Sequence, residues 1–232
     1  MDIVILCGGR GSRLSELTGK TPKPLIKVNG IPMIKYILDQ IDYKFFKNVY
    51  ICTGYKSIQF DNYLRKLSFN HINLIISKGD WRWDTGRRLN EIKNKLNKNF
   101  LVLYGDNYVD MQINDYLQLS GQLKNNFVFL LQDKKICADG DGNVDINFEK
   151  KIVKHYSQKR LKKYRYCELG YLKLNKKIFQ YFDSLNKNES LPSILEKLSL
   201  NEKINYIITK NKFIAITDIK KLKKANQFFQ ML

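Results

Sequence analysis

The feature that most constrains the fold is a short apolar run that leads directly into a glycine-rich loop. Residues 3–6 read IVIL, and residues 8–13 read GGRGSR. An apolar run bounded by glycines is typical of a strand buried on both faces of a parallel sheet. The loop is not a dinucleotide fingerprint, because Leu14 stands where the last glycine is required, and GKT at 19–21 lacks the first glycine of a P-loop. The sequence therefore predicts an α/β chain with another type of ligand loop.

Segments with strand and helix spacing alternate through the first half of the chain, and the second half is more mixed. We predict strands at residues 3–6, 49–52, 72–76, 100–104, 127–131, 144–148, 167–174, 204–208 and 213–216. We predict helices at 32–41, 58–67, 87–96, 176–185, 191–198 and from about 220 onward. No Pro-, Gly- or Ser-rich linker divides the chain. The pattern predicts one domain, residues 1–232, with a Rossmann-like three-layer α/β/α architecture and a mixed, mainly parallel central sheet.

The composition excludes several classes of function. The 4 cysteines contain no CxxC pair and there are 2 histidines, which excludes a zinc ribbon and a His-rich metal centre. No apolar run is long enough for a membrane-spanning helix, and we expect a cytoplasmic protein. The formal net charge of +19 indicates a polyanionic partner, or only lysines that solvate helix faces. Residues 156–166 (YSQKRLKKYRY) are the best candidate for a nucleic-acid contact.

The motifs CGGRGSRL at residues 7–14 and TPKP at 21–24 resemble the signature of the sugar-phosphate nucleotidyltransferases, G-G-x-G-[ST]-R-L followed by P-K-P. Glycines in such a loop let backbone N–H groups approach a triphosphate, and arginine and lysine neutralise phosphate charge during transfer. Weaker matches follow in order: GIPM at 30–33, CTGYK at 52–56, TGRRL at 85–89, YGD at 104–106, FEK at 148–150, ELGY at 168–171 and FIAIT at 213–217. The resemblance implies a GT-A-like fold and the reaction of a nucleoside triphosphate with a sugar 1-phosphate, giving an NDP-sugar and pyrophosphate.

The resemblance also implies a role for individual residues. Arg13 and Lys23 would be catalytic. Nucleotide binding would involve Leu6, Cys7, Gly8, Gly9, Arg10, Gly11, Ser12, Thr85, Gly86 and Gly105. The sugar phosphate would contact Lys150, Glu168 and Gly170. Residues 1–110 would form mainly the nucleotide-binding half, and residues 111–232 mainly the sugar-phosphate-binding half.

The implied cofactor is Mg²⁺, held by Asp106 at the end of the strand at 100–104. The family's second metal-binding aspartate is replaced here by Ala215. Asp218 or Asp110 could supply the second carboxylate. We predict that Asp218 is the second metal ligand. The alternative interpretation is that Asp218 is the N-cap of the last helix. Cys7, beside the loop, is expected to be accessible to a bulky thiol reagent.

The sequence does not decide which nucleotide base and which sugar take part in the reaction. The short, CGG-opened form resembles guanylyltransferases that act on heptose or mannose 1-phosphate, whereas TGRRL and YGD resemble glucose-1-phosphate cytidylyltransferases. We favour guanylyl transfer to a heptose or hexose 1-phosphate for surface polysaccharide synthesis. A protein that binds nucleic acid or another polyanion without catalysis is the alternative from another class. We expect no nucleic-acid partner, no membrane span, and a monomer or homodimer.

Overall fold

The computed structural model describes residues 1–11, 18–42, 44–67, 72–137, 140–183 and 188–231. Its strands are β1 (Asp2–Leu6), β2 (Lys27–Val28), β3 (Ile31–Pro32), β4 (Asn48–Thr53), β5 (Asn73–Lys78), β6 (Asn99–Tyr104), β7 (Asn107–Val109), β8 (Phe127–Asp133), β9 (Gly142–Asn147), β10 (Ile152–Leu161), β11 (Tyr166–Asn175), β12 (Ile204–Ile208) and β13 (Phe213–Ala215). Its α-helices are α1 (Met33–Asp39), α2 (Ser57–Leu64), α3 (Thr85–Glu91), α4 (Ile113–Gly121), α5 (Leu191–Asn201) and α6 (Ile219–Gln230). Short 3₁₀ helices cover Lys23–Leu25 and Lys176–Tyr181.

The central sheet, within the described part of the chain, has nine strands in the order β5-β4-β1-β6-β11-β8-β12-β10-β9. Strands β5, β4, β1 and β6 run parallel to one another. Strand β11 is antiparallel to both β6 and β8, and β12 is parallel to β8. The predicted α/β fold with a mixed central sheet is confirmed, and its parallel pairings are concentrated in the first half.

Strand β1 is buried on both faces of the sheet. Ile3 and Ile5 join a hydrophobic cluster with α1, α2 and α4, whereas Val4 and Leu6 join a second cluster with α3 and α5. A fully buried side chain of this size contributes about 1.5–3 kcal/mol relative to an exposed one. Burial on both faces explains why the strand is a continuous apolar run rather than an alternating one.

The strand register brings several chain segments to one edge of the sheet, which we call the carboxyl edge. Leu6 at the end of β1 pairs with Cys52 and Tyr104, near the ends of β4 and β6. The first half of β11 reaches the same edge, because Tyr171 pairs with Leu103. Strand ends that lie side by side are therefore continued by residues 7–11, 53–55, 79–84 and 104–106, of which Thr53 and Tyr104 are the last strand residues.

A small two-stranded sheet brings the C-terminal part of the chain next to Asp106. Strand β13 pairs with β7, placing Ala215 opposite Asn107. The Ile216 N–H donates to the Asp106 carbonyl at 3.2 Å. Helix α6 completes this unit by packing into a third hydrophobic cluster with β2. The carboxyl edge is thus built from both halves of the chain.

Strand β10 is the main element that the sequence does not predict. No element is predicted from the sequence over its start, and its end falls in the aromatic-basic stretch at 156–166. Tyr156, Tyr164 and Tyr166 are only 1%, 6% and 3% exposed, so their rings cannot serve as platforms for stacking bases. This burial removes the main support for nucleic-acid binding. Among the described residues, every helix is too short or too polar to cross a membrane.

Candidate active site

The glycine loop follows β1, and hydrogen bonds hold its start between the ends of the two neighbouring strands, β4 and β6. The Cys7 N–H donates to the Cys52 carbonyl at 2.9 Å, and the Gly105 N–H donates to the Leu6 carbonyl at 3.0 Å. A Cβ atom at Gly105 would lie 2.5 Å from the Cys7 sulfur, so this close approach requires glycine. The loop and the residue before Asp106 are therefore held in direct contact.

The outer part of the loop is open on one side and anchored on the other. A Cβ atom at Gly9 would meet nothing within 4 Å. Gly11 has φ +65, a left-handed conformation that favours glycine, and its carbonyl accepts a hydrogen bond from Thr18 Oγ1 at 3.0 Å. The predicted Ser12 and Arg13 lie outside the described residues.

Lys23 and Asp106 form an ion pair beside this loop. The Lys23 ammonium donates to the Asp106 carboxylate, and the two side chains are 14% and 28% exposed. The lysine stem passes Gly11, where a Cβ atom would lie 3.4 Å from Lys23 Cβ. The structure thus brings together three predicted site residues: the loop glycine, the catalytic lysine and the metal-binding aspartate.

Arg10 faces an open cavity next to the loop. The cavity has a volume of about 260 Å³ and is lined by Arg10, Tyr55 and Trp81. The Arg10 guanidinium lies 5.8 Å from the centre of the Trp81 ring, which is half exposed. A cation and aromatic rings around a cavity of this size can bind a planar base or a phosphate.

Cys7 is not accessible, contrary to the sequence prediction. Its side chain is 2% exposed, and burial, with smaller contributions from Cys52 and Asp106, raises the pKa of its thiol well above the usual value. Burial likewise raises the pKa of the Cys52 thiol to about 12. Both thiols stay protonated at neutral pH, and a bulky reagent cannot reach Cys7 without local opening.

We expect the thiols of the native protein to react slowly with an aromatic disulfide reagent. All four cysteines are buried, and the thiolate is the reactive form of a cysteine. Absorbance of the released thiophenolate should rise quickly only after denaturant is added. Rapid labelling of one thiol in the native protein, identified by peptide mass, would contradict this burial.

Glu168 and Gly170, the predicted sugar-phosphate contacts, lie at the carboxyl edge. Glu168 is buried; its carboxylate accepts from the Gly170 N–H, and its own N–H donates to Asn143 Oδ1 at 2.9 Å. Gly170 has φ +82, and a Cβ atom there would lie 2.4 Å from the Tyr104 ring. Only glycine lets β11 approach the end of β6 this closely.

Tyr104 supplies a polar group that the sequence did not assign to the site. Its hydroxyl is buried and, among the described residues, has no hydrogen-bond partner. Burial, and then the nearby Glu168 carboxylate, raises the pKa of Tyr104 well above its usual value. A buried polar atom normally has a partner, so this hydroxyl can bind a polar group of a ligand.

Lys150 does not reach the site. It lies in the turn between β9 and β10, next to Ile152, which pairs with Asn205. Asn205 in turn pairs with Val128 at the start of β8, whereas β8 ends at the carboxyl edge. The prediction that Lys150 contacts the sugar phosphate is therefore contradicted, because the register places it at the opposite edge of the sheet.

Arg160 brings a cation to the carboxyl edge from the other end of β10. Its guanidinium donates to the Glu168 carbonyl at 3.0 Å and to the Asp141 carbonyl at 3.3 Å. In the sequence, Arg160 is only one of several basic residues in the stretch at 156–166. A basic residue near Glu168 is therefore present, but it is not the predicted one.

Thr85 and Gly86 pack against the start of α5 instead of the loop. Thr85 Oγ1 accepts from the Leu191 N–H at 2.9 Å. A Cβ atom at Gly86 would lie 2.4 Å from the Glu189 carbonyl oxygen. These contacts join α3 to α5, and the nucleotide contact of Thr85 and Gly86 stays a prediction. From the same helix, Arg88 reaches the loop and donates to the Gly8 carbonyl at 3.1 Å.

Asp218 is the N-cap of α6, the other interpretation of the sequence, and both of its carboxylate oxygens accept hydrogen bonds there. Its two carboxylate oxygens accept from the Lys221 N–H at 2.8 Å and the Thr217 hydroxyl at 3.1 Å. The Lys221 N–H bond, followed by the Thr217 bond, lowers the pKa of the carboxyl group. In the described part of the chain, no cluster of three or more His, Cys, Asp or Glu residues could hold a metal.

Asp218→Ala should lower the free energy of unfolding by about 1 kcal/mol, the usual effect of losing an N-cap. Because folding lowers the pKa of this carboxyl group, its contribution is present above the unfolded pKa and is lost as the pH falls through the folded value. Urea unfolding at neutral and acidic pH measures this change. An unchanged unfolding midpoint together with a weaker metal affinity would return Asp218 to the metal site.

The sequence comparisons agree with this geometry. Residues 3–220 match the profile of the Nucleotidyl transferase family. The chain is 25% identical over 211 residues to the Bifunctional protein GlmU of Methanocaldococcus jannaschii, covering 89% of this chain and 49% of that protein. It is 26% identical over 205 residues to a Campylobacter jejuni D-glycero-alpha-D-manno-heptose 1-phosphate guanylyltransferase, covering 85% of this chain and 86% of that protein.

A solved structure shows the same fold. HddC from Yersinia pseudotuberculosis superposes with a TM-score of 0.77 and 23% identity, covering 98% of this chain and 99% of that chain. The chain spans about half the length of the GlmU proteins among its curated relatives. With the family profile matched over most of its residues, the chain belongs to the Nucleotidyl transferase family.

Proposed function

We propose that this protein transfers a nucleotidyl group from a nucleoside triphosphate to a sugar 1-phosphate. The observation that carries the proposal is the Lys23–Asp106 ion pair beside the glycine loop, at the edge where β1 and β6 end. A cation beside the backbone N–H groups of a glycine-rich loop can bind phosphate groups. The family membership of the chain and the similarity to a heptose 1-phosphate guanylyltransferase support the same reaction.

The protein's contribution to this reaction is positioning and neutralisation of charge. The sugar phosphate oxygen would attack the α-phosphorus in line, and pyrophosphate would leave. Lys23 would stabilise the negative charge that develops on the phosphates, with Arg13 in the same role. The N–H groups of residues 8–11 would hold the triphosphate.

The site offers Mg²⁺ one of the two expected carboxylates. Asp106 offers a partly exposed carboxylate at the end of β6, while Ala215 offers no ligand. Mg²⁺ is often held by one or two carboxylates together with substrate phosphates and water, so Asp106 would be its protein ligand here. When bound, the ion neutralises charge on the phosphates.

The sugar side of the site would be formed by Glu168, Tyr104 and Arg160. The Tyr104 hydroxyl, which has no hydrogen-bond partner in the described part of the chain, lies at the end of β6 near the buried Glu168 of β11, where a sugar hydroxyl can bond to them. We assign the sugar phosphate to Arg160 in place of Lys150, because the Arg160 guanidinium lies beside Glu168.

We infer guanylyl transfer to a heptose or hexose 1-phosphate, in the cytoplasm and for surface polysaccharide synthesis. The Campylobacter jejuni relative supports this choice because the alignment covers most of both chains. Cytidylyl transfer to glucose 1-phosphate is the alternative within the same reaction class. A thermal-shift series with GTP, CTP, UTP and dTTP in Mg²⁺ separates them, and a larger stabilisation by CTP would overturn the guanylyl assignment.

Pyrophosphate release tests the reaction itself. The protein is incubated with each triphosphate and with mannose, heptose or glucose 1-phosphate, and we expect release that depends on both substrates. If no pair of substrates gives pyrophosphate, and filter binding shows sub-micromolar nucleic-acid affinity with a steep salt dependence, the protein is a polyanion binder instead.

A further inference from the structure

Arg88 is a buried cation directly behind the glycine loop. Its side chain begins on α3, and the residue is 3% exposed. The guanidinium hydrogen-bonds to the backbone carbonyl at the end of β4 and to carbonyls from the segments that follow β1 and β5. These acceptors are the carbonyl oxygens of Thr53 at 2.8 Å, Gly8 at 3.1 Å, Asp80 at 2.9 Å, Trp81 at 3.4 Å and Trp83 at 2.8 Å.

Three glycines make room for this guanidinium. A Cβ atom at Gly8 would lie 2.1 Å from Arg88 Cζ, and one at Gly54 would lie 2.5 Å from Nη1. At Gly79 the added atom would lie 3.2 Å from Nη1 and closer still to the Trp83 ring. Each glycine follows a different parallel strand. The space for the guanidinium is therefore formed jointly by the three segments that it connects.

No carboxylate in the described part of the chain forms an ion pair with Arg88. Asp80 and Asp84 lie close enough to favour its charged form, but burial is the stronger influence and lowers the pKa of the guanidinium. The carbonyl dipoles partly replace the water that the cation has lost. A planar group with donors on both sides can bond to several loops at once, whereas a lysine ammonium is a single point of attachment.

We propose that Arg88 is a positioning residue for the nucleotide, acting through the backbone carbonyls that it holds. It would fix residues 7–11, 53–55 and 79–84 in one arrangement, which sets the direction of the loop N–H groups. This inference rests on the proposed function.

The same contacts place the walls of the cavity next to the loop. The Tyr55 N–H donates to the Gly8 carbonyl at 3.1 Å, and Trp81 holds its carbonyl toward Arg88 while its ring lines the cavity. Loss of the guanidinium would therefore loosen both the phosphate-binding N–H groups and the Trp81 wall. These contacts stabilise the bound triphosphate to the same extent in the ground state and in the transition state. Their loss should therefore raise the KM for the triphosphate and leave kcat nearly unchanged.

The test compares Arg88→Lys and Arg88→Met with the exposed Arg65→Lys as a matched control. We expect the KM for the triphosphate to rise about tenfold or more in both Arg88 variants, with kcat and the KM for the sugar phosphate changed less than about threefold. Arg65→Lys, at the end of α2, should match the wild type. All measurements are made well below the melting temperature of each variant.

Tryptophan quenching gives a readout that does not depend on activity. The chain has 2 tryptophans, and Arg88 holds the carbonyls of both. We expect acrylamide to quench their fluorescence more strongly in the Arg88 variants than in the wild type or in Arg65→Lys. If the Arg88 variants do not fold, Gly54→Ala, whose added Cβ atom would lie 2.5 Å from Nη1 and 2.8 Å from the Gly8 carbonyl oxygen, disturbs the same Arg88–Gly8 contact and should produce the same changes.

The outcomes separate this inference from the proposed function. If the wild type releases no pyrophosphate from any triphosphate, the proposed function fails, and the nucleotide role of Arg88 fails with it. If the wild type is active but the folded Arg88 variants keep the wild-type nucleotide KM and quenching, the inference is wrong. A KM change for one base alone would mean that Arg88 reads the base directly, which would also overturn the positioning role.

Discussion

Replacing Lys23 with alanine is expected to lower turnover by ~10²-fold or more, the usual effect of removing a group aimed at developing charge. The Lys23 ammonium is the cation that the structure places against Asp106, next to the open loop. No other described basic side chain forms an ion pair with Asp106. Pyrophosphate release at saturating substrates measures the loss.

Two comparisons make the Lys23 result specific. Lys27→Ala removes an exposed lysine on β2 and should leave turnover unchanged. Circular dichroism should show the same helix content in both variants, because the Lys23 side chain belongs to none of the hydrophobic clusters. Near-normal turnover in Lys23→Ala would mean that the reaction takes place elsewhere.

Asp106→Asn is expected to nearly abolish activity. The substitution keeps the shape of the side chain but removes the charge that pairs with Lys23 and the carboxylate that would hold Mg²⁺. Ala215 stands where the family has its second metal-binding aspartate. Because alanine cannot ligate an ion, this position cannot compensate for the loss of the Asp106 carboxylate. Two measurements check the prediction: pyrophosphate release, and the affinity for Mn²⁺ in the presence of nucleotide.

Asp115→Asn is the control for this change, because Asp115 lies in the first turn of α4 and away from the predicted site residues. It should leave both activity and Mn²⁺ affinity unchanged. If Asp106→Asn keeps wild-type affinity for Mn²⁺ while activity is lost, Asp106 acts through Lys23 alone. Retained activity in Asp106→Asn would remove Asp106 from the site.

The central part of the site could be predicted from sequence because it follows strand ends. The glycine loop comes directly after β1, and Asp106 comes shortly after β6, the neighbouring parallel strand. Carboxyl ends of adjacent parallel strands meet at one edge, so a local pattern was enough to bring these residues together. Lys23 followed from the proline-flanked motif at 21–24.

The second half was harder to predict because β10 has no regular alternation. Its register with β9 shifts between Val153 and His155 and again between Tyr156 and Leu161, which hides the period-two pattern of a strand. With β10 missed, the FEK residues at 148–150 matched a family motif although they form a hairpin turn. The motif match therefore predicts the wrong edge of the sheet for Lys150.

Arg88 could not be found by its local sequence. An arginine among polar helix residues usually indicates an exposed face, and Arg88 stands next to another arginine. Its burial depends on Gly8, Gly54 and Gly79, which lie far apart in the chain and meet only when the parallel strands pair. Such a contact follows from tertiary structure, not from spacing.

The position of the labelled phosphate tests the central claim most directly. The wild type is incubated with Mg²⁺, a sugar 1-phosphate and the triphosphate that it prefers, labelled with ³²P at either the α or the γ position. Nucleotidyl transfer predicts that α-label appears in the NDP-sugar and γ-label in pyrophosphate, in equal amounts, and that Lys23→Ala loses both products together. Transfer of the γ-label to the sugar phosphate, or release of inorganic phosphate without an NDP-sugar, would contradict the account.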